Sequence, residues 1–84
     1  MKELVEYIVT ALVDEPEAVQ VTEERRGESV LLRVRVAEGE TGKVIGRQGR
    51  VIQAIRALVK VAAVREGVHA DLQLDRSPEE TRQP

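Results

Sequence analysis

The chain of 84 residues contains no cysteine. Disulfides and thiolate metal sites are therefore excluded. Tyr7 is the only aromatic residue. A core must then be built from Val, Leu, Ile and Ala, and no binding surface can depend on aromatic stacking platforms. No apolar run approaches the roughly 18 residues that span a bilayer. The opening Met1-Lys2-Glu3-Leu4 sets charge among apolar residues, unlike a secretory leader. These absences lead to the expectation of a soluble, cytoplasmic protein. Neither Gly-x-x-x-x-Gly-Lys-Ser/Thr nor Gly-x-Gly-x-x-Gly occurs, and no nucleophile–base–orienter set is visible, so no enzyme activity and no cofactor are expected. The single histidine, His69, has no metal-ligand spacing around it and reads as a solvated side chain.

What remains is an ordinary globular balance, 42% apolar and 33% charged. A domain this short buries only about 60% of its unfolded surface, which makes its stability marginal and oligomerisation a common remedy. Met1, Leu4, Val5, Ile8, Val9, Leu12 and Val13 recur at three- and four-residue steps, one face of a helix. Asp14-Glu15-Pro16 stops it. Val19 and Val21 alternate with polar neighbours as a half-buried strand. Arg26-Gly27-Glu28-Ser29 supplies a turn, and Val30 to Val36 forms the second arm of a hairpin. Gly42 to Ile45 reads as a short helix. A long helix is expected from Arg50 to Glu66, with Gly67 as its stop. Val68, Ala70, Leu72 and Leu74 alternate with polar residues as a last strand. The domain is expected to span residues 1–76, followed by a disordered tail over 77–84.

Between the two helices lies Gly46-Arg47-Gln48-Gly49. Two glycines without side chains would let a phosphodiester backbone approach the main chain. The helix that begins just after turns its first N–H groups toward that backbone, and a helix N-terminus favours negative charge. Lys43, Arg47 and Arg50 add cationic donors. The whole chain carries a formal charge of −2. Yet Thr41 to Arg65 holds six basic residues and no acid, leaving seven basic and fifteen acidic residues elsewhere, a balance of −8. Positive charge is thus concentrated in one supersecondary unit, the footprint of a nucleic-acid face. Gly39-Glu40-Thr41-Gly42 has the same spacing, but it carries an acid and directly follows a strand, so it is rejected as a phosphate grip.

Val44-Ile45-Gly46-Arg47-Gln48-Gly49-Arg50-Val51-Ile52 resembles the signature of the KH domain. The length, the N-terminal helix and the run Gly42 to Arg50 resemble the KhpA family of small bacterial KH proteins. The resemblance implies an α+β fold: a single type II KH domain of order α-β-β-α-α-β, with a three-stranded sheet and helices packed on one face. It implies single-stranded RNA as partner, about four nucleotides held with the Gly-x-x-Gly loop clamping the backbone and the bases in an aliphatic groove. By position, Gly46, Arg47, Gln48 and Gly49 would be the clamp, with Val44, Ile45 and Ile52 at the packed base of the two helices. It further implies an RNA chaperone or post-transcriptional regulator, paired with a larger KH partner (KhpB-like) and linked to cell-wall homeostasis and cell length. Gln48 is neutral where many KH loops carry a second base, so weak, salt-dependent binding is expected.

The long helix offers two apolar lines. Val51, Ile52, Ile55, Leu58, Val59 and Ala62 are assigned to the core. Ala54, Ala57, Val61 and Val64 follow steps of three, four and three, the spacing of a helix-pairing seam, and are the candidate dimer interface, in a homodimer or a heterodimer with a larger KH protein. Two further readings stand beside RNA binding: a dimerisation adaptor with little RNA binding of its own, and a ribosome-associated KH protein.

Overall fold

The computed structural model describes residues 1–75; the expected tail over 77–84 lies outside the described residues. Val5, Val9 and Val13, at four-residue steps, are buried along one side of α1 (Lys2–Leu12). Val13 leaves the helix with extended backbone, and Glu15, directly before Pro16, is kept out of the helical region at φ −120°, ψ 74°. Pro16 then opens a single 3-10 turn, Pro16–Ala18. β1 (Gln20–Arg26) and β2 (Ser29–Arg35) pair antiparallel across the two-residue turn Gly27-Glu28. β1 is longer than its Val19/Val21 signal suggested, because Glu23 to Arg26 keep the ladder while facing water.

α2 (Thr41–Ile45) and α3 (Arg50–Glu66) follow, with the Gly46–Gly49 segment between them. Gly67 ends α3 in left-handed backbone, and the Val68 N–H returns to the Ala63 carbonyl at 3.0 Å. β3 (His69–Asp75) pairs parallel with β2, giving the sheet order β1-β2-β3. The helices cover one face of this mixed sheet, in the order α-β-β-α-α-β expected from the resemblance.

The core is wholly aliphatic. Leu32 and Val34 of β2, the central strand, are completely buried, and Leu72 of β3 and Val21 of β1 flank them. Truncating Leu32 to Ala would remove about 2–5 kcal/mol, a large share of what so small a domain can hold. Three sequence expectations need correction. Leu58 is 49% exposed, and Ala62 gives way to Ala63 as the last core residue of α3. The buried line is Ile52, Ile55, Val59 and Ala63, a narrow stripe of three-, four- and four-residue steps, because α3 seats on a sheet of only three strands. Leu4 of α1 is likewise turned outward, at 36% exposure.

Candidate nucleic-acid interface

Gly46 closes α2 with its N–H on the Gly42 carbonyl, 2.9 Å away. Its backbone then turns to φ 76°, ψ 175°, a region closed to other residues. A Cβ there would stand 2.7 Å from Cβ of Val51 and closer still to its Cγ2. Gly46 is thus fixed by the first turn of α3 packing onto it. A single 3-10 turn, Arg47–Gly49, follows, in which the Gly49 N–H donates to the Gly46 carbonyl at 3.1 Å. Gln48 sits at φ 57°, the one non-glycine residue with positive φ among the described residues. That conformation costs about 1–2 kcal/mol in an L-residue. Gly49 is left-handed too, at φ 74°, but nothing lies within 4 Å of where its Cβ would be. The first glycine is filled by the protein; the second faces open space.

Arg47, Gln48 and Arg50 are exposed. Neither arginine has a carboxylate partner among the described residues. The first turn of α3 carries no acid and no side-chain cap. The Arg50 N–H is taken by the Arg47 carbonyl, so it is the positive end of α3 together with two exposed, unpaired guanidiniums that makes this outward bend suited to an anionic strand.

The other residues assigned to the site behave differently. Val44 is fully buried and Ile52 nearly so, with Ile45 packed half-buried beside them. They join α2 to α3 beneath the loop and hold it from below. Lys43 is engaged with carboxylates: its Nζ meets Asp14, and Glu40 at 3.3 Å. Asp14 first, then Glu40, keeps its ammonium protonated to higher pH than usual.

Glu40, the residue that marked the rejected glycine pair, is the one buried charged residue among those described. Its two carboxylate oxygens accept from the backbone N–H of Asp14 at 2.6 Å and of Glu15 at 3.1 Å. The Asp14 amide is the main reason its carboxyl stays ionised below the usual range, against the opposing cost of burial. Glu40 thereby ties the exit of α1 to the start of α2. Sequence reading missed this role, since the partners lie 26 and 25 residues away and no local pattern announces the pairing.

Arg56 is also committed: Nε and Nη2 both donate to the Leu72 carbonyl on β3 at 3.3 Å. Beyond it, Lys60, Ala63, Val64, Val68, His69 and Ala70 line a shallow groove of about 240 Å³ between α3 and β3. A larger concavity, about 420 Å³, lies at the hairpin end of the sheet, with Glu24 and Asp71 among its walls. It adjoins the start of β3, at the far end of α3 from the loop, about 25 Å of helix away. Volume and chemistry disagree about the site here, and the chemistry decides: the larger concavity sets Arg26 beside two carboxylates, Glu24 and Asp71, whereas the bend presents two unpaired guanidiniums and no acid.

A glycine-bounded bend between two short-linked helices on a mixed three-stranded sheet defines a type II KH domain. A family model for the KH domain of KhpA/KhpB matches residues 2–74, and the chain belongs to that family. It is 53% identical over 66 residues to the RNA-binding protein KhpA of Clostridium perfringens, covering 79% of this chain and 88% of the relative. It is 44% identical over 64 residues to the RNA-binding protein KhpA of Bacillus subtilis, covering 76% and 79%. Against the RNA-binding protein KhpA of Chlamydia trachomatis it is 42% identical over 74 residues, covering 88% and 95%.

Proposed function

We propose that this protein binds single-stranded RNA through the Gly46–Gly49 bend, with Arg47 and Arg50 on the phosphates and, as the family resemblance implies, the bases against aliphatic surface. One observation carries the reading: the open space at Gly49 lies between two arginines without ionic partners among the described residues, at a helix start with no side-chain cap. The relatives named RNA-binding proteins support it. Lys43 is left out of the clamp and assigned to holding α2, because its charge is spent on Asp14 and Glu40. With two free guanidiniums, a neutral Gln48 and no aromatic platform, the domain binds weakly and with marked salt dependence. Each phosphate neutralised contributes about −0.7 to the slope of log K against log salt on a single strand.

The test is the double substitution Arg47→Asp with Gln48→Asp. Aspartate tolerates the left-handed backbone at position 48, so the fold is kept while two negative charges meet phosphate. Affinity for an oligoribonucleotide should fall about 100-fold or more at low salt. Parent-like binding by a folded variant removes the clamp.

The working form we propose is a dimer, through the exposed line Ala54, Ala57, Val61 and Val64, to which Leu58 is now added. Val61 and Val64 are 61% and 79% exposed, a run of apolar surface facing away from the core that a partner would cover. The same surface suits a larger KH protein of the KhpB kind. It also favours the second reading, an adaptor that positions an RNA-binding partner. Retention of a partner after RNase treatment, with no RNA crosslinks to this chain, would select the adaptor. The chaperone role, and the family link to cell-wall homeostasis and cell length, rest on the resemblance. Comparing cell dimensions in a strain carrying the Arg47→Asp/Gln48→Asp form with the parent strain tests whether they run through RNA.

A further inference from the structure

Beyond the bend, α3 carries one more polar line. Gly49 stands one turn before Gln53, and Arg56 and Lys60 follow at steps of three and four. Residues so spaced share one side of a helix. That side faces β3: Arg56 bonds to Leu72, and Lys60 lines the shallow groove with Val68, His69 and Ala70. It carries no acid. The line begins where Gly49 opens to solvent, so a strand held at the bend can continue along it, between α3 and the edge of β3.

Arg56 is the fixed point of that line. It is half-buried, and its Nε and Nη2 both donate to the Leu72 carbonyl at 3.3 Å. The Leu72 N–H is closed as well, donating to Oδ1 of Asp71 at 2.8 Å. The main chain of Leu72 therefore has nothing left to offer a base. What stands at the edge instead is the remainder of Arg56. A guanidinium has five N–H donors and no acceptor. Two are used here, and no carboxylate pairs with Arg56 among the described residues. The Leu72 carbonyl occupies the Nε side of the planar group, which leaves a fork of N–H donors at its Nη end. Held in place by that carbonyl, the fork is matched by two acceptors side by side.

Guanine offers such a pair, O6 and N7, on the edge away from its ribose. Adenine sets its N6 donor beside N7, and uracil places N3–H between its two oxygens. Cytosine has adjacent acceptors in N3 and O2, but O2 lies against the ribose. We infer that Arg56 reads a guanine in the bound strand, through O6 and N7, about 9 Å along α3 from Arg50. This rests on the clamp reading above and deepens it by naming a base. Arg47 and Arg50 hold phosphates whatever the sequence, whereas Arg56 sets which base is preferred.

Fluorescence anisotropy of the full chain with short oligoribonucleotides at low salt tests it. Oligouridine is the reference, and the others carry a single central adenine, cytosine, guanine or 7-deazaguanine. The guanine strand should bind about tenfold tighter than the reference or the adenine strand. The 7-deazaguanine strand, which lacks the N7 acceptor, should lose most of that margin. Arg56→Lys keeps the charge without the fork. It should bind oligouridine as the parent does and the guanine strand no better. If the parent binds all the strands alike, or 7-deazaguanine as tightly as guanine, the inference is overturned while the clamp stands. Both comparisons use the parent alone, so neither depends on how a variant folds. Cytosine preferred to guanine, or a guanine preference kept by Arg56→Lys, overturns it equally. If the parent binds none of the strands, the clamp and this inference fall together.

Discussion

Gly39-Glu40-Thr41-Gly42 and Gly46-Arg47-Gln48-Gly49 share a spacing and lie on either side of the same short helix, yet the molecule uses them for opposite ends. In the first, the polar residue turns inward. Glu40 is buried, accepts from two backbone amides across the fold and takes the Lys43 ammonium. In the second, the polar residues turn outward and carry no partners, and the backbone is bent so that Gly49 opens to solvent. A Gly-x-x-Gly spacing therefore specifies a bend and nothing more. What the bend does follows from whether its polar groups are already satisfied. A satisfied segment is a fastening; an unsatisfied one, at the positive end of a helix, is a surface for a ligand.

The sharpest way to break this contrast is at Gly46. Gly46→Ala forces a Cβ into Val51 at positive φ, and unfolding should become easier by roughly 3 kcal/mol, read by urea denaturation. Little change would mean that α3 does not pack on the loop as described. Gly49→Ala meets open space and should cost only about 1 kcal/mol of backbone strain. It should nevertheless weaken RNA binding by a further factor beyond that loss, because the methyl group stands where the strand approaches.

Glu40→Gln probes the fastening. An amide side chain presents only one oxygen, so one of the Asp14 and Glu15 N–H groups is left facing an NH2 group, and thermal stability at neutral pH should fall. The carboxyl of Glu40 titrates lower in the folded chain than usual. Its contribution is therefore complete above the ordinary carboxylate range and declines as pH falls through the lowered value. The gap in melting temperature between parent and Glu40→Gln should close under acid. A gap that persists at low pH would show that the charge plays no part. RNA affinity of Glu40→Gln, measured where it is folded, should change less than that of any substitution at Arg47. The smallest effect is expected at Gly42, inside α2 with nothing within 4 Å of an added Cβ. Gly42→Ala should stabilise by about 0.5–1 kcal/mol and leave binding as it is.

Much of this was legible along the chain, for physical reasons that differ by element. The helix and strand runs showed because their apolar periods of 3.6 and 2 are local. The bend at Gly46–Gly49 showed because two apolar helical patterns break around it. The parallel pairing of β3 with β2 was not written in the strand itself; it came from the resemblance. Leu58 turned outward and Ala62 gave way to Ala63 because a helix with two apolar lines does not say how wide a three-stranded sheet will make its buried stripe. Glu40 and Arg56 were opaque for another reason. Each bonds to main-chain groups of a distant segment, Asp14 and Glu15 in one case and Leu72 in the other, and such partners have no side-chain signature to find. Lys43 looked like a phosphate ligand by position, and it was the unseen carboxylates that claimed it.

Backbone amide spectra of the protein titrated with a single-stranded oligoribonucleotide at low ionic strength test the contrast most directly. The expected result is shifts concentrated at residues 46–50, with those at 39–42 left in place. Equal or greater movement at 39–42, or a silent 46–50, would contradict it.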